Sequence, residues 1–202
     1  MIFKLIIVLA HIQAVLIPIF IGIKSINKFY HIKNSKLISW GFVSLGLASM
    51  FEMIDHTQTE WIYIDHSSLF NWLFYSLLSI GLTFLSISTI KNKYLILTNL
   101  LTCILAIVSY WIFGKSLTLV FQVLISIFLI INWQRKFKDW IFIAYPIFGI
   151  FLTTFLGLRL SLSANQIWHI FIGPSGTISV LAFYLVLNLS LIHISEPTRR
   201  RL

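Results

Sequence analysis

The sequence predicts an all-α membrane protein, a bundle of seven transmembrane helices, and three observations carry the prediction. A mean hydropathy of +0.93, with 58% hydrophobic and only 10% charged residues among 202, excludes a soluble domain with a polar surface. Apolar runs recur at the length of roughly 20 residues that a helix needs to cross a bilayer. These runs are apolar on all sides rather than alternating with period two, so they read as helices and not as the strands of a β-barrel.

Taken in order, the spans fall at about 3–23, 37–54, 69–90, 94–113, 116–132, 140–160 and 167–188. The first has no small-residue cleavage site and stays apolar through Leu16, Ile17, Pro18, Ile19 and Phe20. It is read as a retained helix rather than a signal peptide. Short loops separate the spans, which makes residues 1–188 one compact domain. Pro146 lies in the sixth span, and Gly173-Pro174-Ser175-Gly176 in the seventh is expected to kink it. The tryptophans, Trp40, Trp61, Trp72, Trp111, Trp133, Trp140 and Trp168, lie near span ends, the position of an aromatic belt. The lone cysteine, Cys103, is read as a small buried residue.

Basic residues set the expected orientation, because short loops rich in Lys and Arg are retained on the cytoplasmic side. Lys24, Lys28, Lys33 and Lys36 follow the first span, Lys91 and Lys93 the third, and Arg135, Lys136 and Lys138 the fifth. The N-terminus is therefore expected outside and the C-terminus in the cytoplasm, in a bacterial-type inner membrane. The net charge of +9 reads as topology and contact with anionic lipid headgroups, with membrane lipids as partners and no nucleic acid. The stretch from Leu189 to Arg199 looks like the in-frame translation of a transposase-type sequencing-library adapter. Residues 189–202 are accordingly expected not to be native.

The candidate chemistry is concentrated in two places. Four of the six acidic residues, Glu52, Asp55, Glu60 and Asp65, fall in one short stretch from the end of the second span to the start of the third, with His56 and His66 among them. Asn165-Gln166-Ile167-Trp168-His169 opens the last span. A charged group within a span costs roughly 2.5–3.5 kcal/mol on insertion scales, so an acid retained there is a functional-site hypothesis by default. Ser49, Glu52 and His56 are three and four residues apart and share one helix face, as do Asn165 and His169. With the expected orientation both faces meet on the extracytoplasmic side. Carboxylate and imidazole are zinc ligands, and a metal-bound water is a hydrolytic nucleophile at neutral pH. The equally open reading is that these groups satisfy one another by hydrogen bonds between helices. No glycine-rich phosphate loop, GxSxG elbow or dinucleotide fingerprint is present.

At Ser49-Met50-Phe51-Glu52, at Ile64-Asp65-His66-Ser67-Ser68-Leu69-Phe70 and at Asn165-Gln166-Ile167-Trp168-His169, the chain resembles the CREST superfamily of seven-helix membrane proteins. That superfamily includes the alkaline ceramidases, the progestin and adipoQ receptors with bacterial haemolysin III relatives, and the GPI-anchor lipid remodelling proteins. The resemblance implies a zinc site with Glu52, His56 and His169 as ligands, Asp65 orienting or deprotonating the attacking water, and Ser49 hydrogen-bonding nearby. Glu52 stands where those proteins have the histidine of the second helix, and Asn165 where they have the first histidine of an HxxxH segment.

Two function classes follow. One is a zinc-dependent hydrolase of lipid amides or esters with an extracytoplasmic site; the other is a non-catalytic lipid-binding or sensing membrane protein of the same fold. A transporter would show paired broken helices at corresponding positions of two halves, and a rhodopsin-like photoreceptor a lysine in the last span, which this sequence lacks.

Overall fold

The computed structural model describes residues 2–29, 32, 34–58, 68–137 and 165–195. These form six helices and no strand: α1 (Ile2–Lys28), α2 (Ser35–Gln58), α3 (Leu69–Ile87), α4 (Lys93–Phe113), α5 (Lys115–Phe137) and α6 (Asn165–Ser195). Each includes a segment long and apolar enough to cross a membrane. The protein is an all-α integral membrane bundle. The expected span at 140–160 lies outside the described residues, and α6 corresponds to the last expected span.

Helix ends follow from local chemistry. Ser68 caps α3, its hydroxyl accepting from the Asn71 amide, and Asn92 caps α4 by accepting from the Tyr94 amide, each satisfying one of the orphan donors of a first turn. Between α4 and α5 stands only Gly114, with φ of 77°. This left-handed conformation is one that glycine adopts without steric cost, and it turns the chain within one residue. α5 runs past the apolar count to Phe137, with Arg135 and Lys136 in its last turn, where positive charge complements the helix dipole.

In lipid, burying apolar surface does not drive helices together, so close approach and hydrogen bonds must do so. α1 packs between α2 and α6, α2 against α3, and α3 against both α4 and α5. Glycines permit the tightest of these contacts. A Cβ on Gly41 would lie 3.1 Å from the Gly81 carbonyl oxygen, and one on Gly81 2.9 Å from that of Gly41, so α2 and α3 touch backbone to backbone. Gly173 of α6 seats in the same way against the Ala10 carbonyl of α1.

Side-chain hydrogen bonds hold the α3, α4 and α5 group. Ser86 donates to Asn99 Oδ1 at 2.8 Å and accepts from Asn132 Nδ2 at 2.9 Å. Gln122 donates to the Tyr75 carbonyl at 2.9 Å and to Ser79 Oγ at 3.1 Å. The apolar core runs from Phe29, Ile38 and Phe42 through Leu85 to Ile125, Leu129 and Trp133. Trp133 corrects the aromatic-belt expectation. Its ring is fully buried, its Nε1 donates to the Leu85 carbonyl at 2.8 Å, and Phe137 and Phe183 meet it edge-on. Trp40 and Trp111 are exposed as a belt requires. Trp61 and Trp140 lie outside the described residues, as does the Trp168 side chain. Cys103 is buried, as expected.

Candidate functional site

The site begins with α2, whose last three turns carry Ser49, Glu52, Asp55 and His56. The antiparallel pairing of α1 with α2 brings His11, fully buried, to the level of Glu52. The Nε2 atoms of His11 and His56 stand 3.7 and 3.9 Å from the two carboxyl oxygens of Glu52, one imidazole on each. The two rings lie 6.0 Å apart, centroid to centroid. Glu52 is 8% exposed and Asp55 1%, so both carboxyl groups are removed from water at a depth where a carboxylate must be paired or hydrogen-bonded to persist.

Asp55 is held by α3. One of its oxygens accepts from the Ser68 hydroxyl in a short contact, and the other from Asn71 Nδ2 at 3.3 Å. Asn71 in turn accepts from the Tyr110 hydroxyl of α4 at 2.7 Å. Ser68 therefore caps α3 and fixes the carboxyl group at once. The result is a buried polar region with two adjoining parts: Glu52 between two imidazoles where α1 meets α2, and Asp55 within a hydroxyl and amide set shared by α2, α3 and α4.

The sequence-derived residues fall as follows. Glu52 and His56 are brought together, and Ser49 lies partly buried one turn before Glu52. Asp65, with Glu60 and His66, lies outside the described residues. The backbone of His169 belongs to the first turns of α6, four residues before Gly173, which seats on α1 beside Ala10 and His11; its side chain lies outside the described residues. Among the described residues, no group of three or more His, Cys, Asp and Glu side chains is arranged to hold a metal ion. The described side chains alone thus do not make the zinc site that the resemblance implies.

Sequence reasoning singled out neither His11 nor Asn71 and Tyr110, and gave Ser68 no role of its own. No local pattern ties His11 to residues some 40 positions away. Ser68 and Asn71 did carry a signal, a capping serine three residues before an amide at the start of an apolar run.

A family model named 7TM_cyano and described as "Seven transmembrane receptor" matches residues 3–191. No curated protein and no solved structure matches the chain. The match takes in α2 to α5 whole and nearly all of α1 and α6, including every residue of the buried polar region. The chain belongs to this seven transmembrane receptor family.

Proposed function

We propose that this protein is a non-catalytic sensing membrane protein that binds an amphiphile with an ammonium-bearing head group at Glu52, on the extracytoplasmic side. The observation that carries the reading is the placement of Glu52, 8% exposed, with an imidazole of α1 and another of α2 on its two oxygens. A carboxyl group kept at this depth costs stability, and its retention points to a use. Two carboxyl groups one turn apart favour a positively charged partner, while the imidazoles can donate or accept hydrogen bonds to the rest of a head group. A ligand reaches such a depth from the lipid phase. The receptor description of the family supports sensing over catalysis, and so does Asn165, a poor metal ligand where the resemblance calls for histidine.

The test is a lipid titration of protein in phosphatidylcholine nanodiscs, read by thermal unfolding. Lysophosphatidylethanolamine should stabilise the protein, and lysophosphatidylglycerol should not. Glu52→Gln should weaken the effect by about tenfold, ~1.4 kcal/mol. Equal effects of the two lipids, or an effect that survives Glu52→Gln, would overturn the reading.

One observation favours a second reading, the zinc-dependent lipid amide or ester hydrolase that a CREST-type relationship would imply: Glu52 already has two imidazoles beside it. In that reading Glu52, His56 and His169 would hold the metal, which would supply a water activated for hydrolysis, and Asp65 and Ser49 would be the polar groups beside it. Metal content separates the two.

A further inference from the structure

The ends of α1 and α6 that lie away from Glu52 carry a second polar group, built on lysine. Leu16, Phe20, Lys24 and Lys28 follow one another at four-residue spacing along α1, so they form one ridge. All four are exposed. The ridge is thus apolar within the span and cationic at its end. α6 packs on α1 and sets Tyr184 against this end, with Leu181 and Leu185 exposed within one turn of it.

Tyr184 holds Lys28 in place. Lys28 Nζ donates to the Tyr184 hydroxyl at 3.1 Å, and it lies 5.1 Å from the centre of that ring and 5.9 Å from the centre of Phe29. Phe29 is fully buried and meets the Tyr184 ring edge-on at 6.1 Å, so the phenol is itself seated against the core. Lys24 Nζ stands 4.4 Å from the centre of the Phe20 ring. Aromatic faces attract an ammonium group but do not neutralise it. No carboxylate among the described residues stands at this end, since the two described acids, Glu52 and Asp55, lie in the closing turns of α2, which runs antiparallel to α1.

The remaining donors define what fits. An ammonium group has three N–H donors and no acceptor, and the Tyr184 hydroxyl, while accepting from Lys28, keeps its own proton to donate. Two N–H groups of Lys28 and the O–H of Tyr184 are therefore left side by side, with a second ammonium one turn away at Lys24. The complement is an oxyanion with several free oxygens and more than one charge. Its place at the head of an exposed apolar ridge makes it the head group of a lipid. A phosphomonoester meets both conditions, with three terminal oxygens and a charge of about −1.5 to −2 at neutral pH, whereas a phosphodiester such as phosphatidylglycerol has two free oxygens and a single charge. We propose that the seam between α1 and α6 binds a phosphomonoester lipid of the phosphatidic acid class, its head on Lys28, Tyr184 and Lys24 and its chains along Leu16, Phe20, Leu181 and Leu185. Basic pockets between membrane helices are sites where anionic lipid heads bind. The site stands apart from Glu52 and does not rest on the sensing reading: Glu52→Gln should leave it intact.

The test is native mass spectrometry of protein released from phosphatidylcholine nanodiscs doped with equal amounts of phosphatidic acid and phosphatidylglycerol. One phosphatidic acid should be retained in preference to phosphatidylglycerol. Lys28→Gln should weaken its binding about tenfold, with Lys24→Gln in its place should Lys28→Gln not fold. Tyr184→Phe, which keeps both lysines and the ring, should weaken it about threefold. Lys93→Gln, which removes an exposed charge at the start of α4, should change nothing. A general attraction of basic loops to anionic lipid predicts a different result: equal retention of the two lipids, a Tyr184→Phe protein that binds like wild type, or an equal loss on Lys93→Gln overturns the site. Displacement of the bound lipid by glycerol 3-phosphate would overturn a lipid as its occupant.

Discussion

Asn71→Ala tests how the buried carboxyl group of Asp55 is held. The Asn71 side chain joins three helices, accepting from Tyr110 at 2.7 Å and donating to Asp55 at 3.3 Å. Its backbone amide keeps the bond to Ser68 Oγ, 2.9 Å long, so alanine removes the side-chain bonds and leaves the cap of α3 intact. Interhelical hydrogen bonds in membranes average ~0.6 kcal/mol and reach ~1.7. Two of them, one to a carboxyl group, give an expected loss of about 2 kcal/mol. The assay is reversible unfolding in bicelles by steric trapping. Tyr110→Phe should cost about 1 kcal/mol, and the double variant should cost less than the sum of the singles by roughly that amount, since the two residues share a bond. Leu101→Ala, on the lipid-facing side of α4 at 51% exposure, should stay within about 0.5 kcal/mol of wild type. An Asn71→Ala protein as stable as the Leu101→Ala control, or strict additivity with Tyr110→Phe, would refute the network.

Trp133→Phe should destabilise the protein by about 1 kcal/mol, because the Leu85 carbonyl loses the indole donor and keeps that of the Ser88 hydroxyl, whereas Trp40→Phe on the exposed surface should be close to neutral in the same unfolding assay. Gly41→Val should cost at least about 1–3 kcal/mol, since its Cβ would press on the Gly81 carbonyl and on Leu85. Gly176→Ala, with nothing within 4 Å of its added Cβ, should gain up to ~1 kcal/mol from helix propensity. For orientation, a cysteine at Thr59 in a Cys103→Ala background should be labelled on intact cells by a membrane-impermeant maleimide and one at Asn34 should not; the reverse pattern would invert the topology.

The helices were legible because a membrane span is a composition signal, and length alone placed most of them within a turn or so. Their ends were less so. The apolar count stops the fifth span near residue 132, whereas the helix continues through Trp133 to Phe137, because Trp133 turns inward onto Leu85 rather than outward to the interface. In the site, Ser49, Glu52 and His56 could be placed on one face by spacing alone. The partner of Glu52 from α1 could not, since only the packing of α1 on α2 brings His11 to it. Among the described residues α3 engages Asp55, an acid to which the resemblance gave no role; Asp65 lies outside them. That engagement depends on Ser68 serving both as helix cap and as carboxyl donor, a pairing that spacing does not reveal.

The metal content of the purified protein tests the central claim most directly. If Glu52 serves recognition rather than catalysis, protein purified without chelator and dialysed against micromolar zinc should hold well under one zinc per chain. Glu52→His with Asn165→His, which rebuilds the three-histidine set with His169, should then hold one. A wild-type protein that retains one zinc per chain, and loses it on Glu52→Ala and on His169→Ala, would contradict the sensing reading and establish the metal site of a hydrolase in its place.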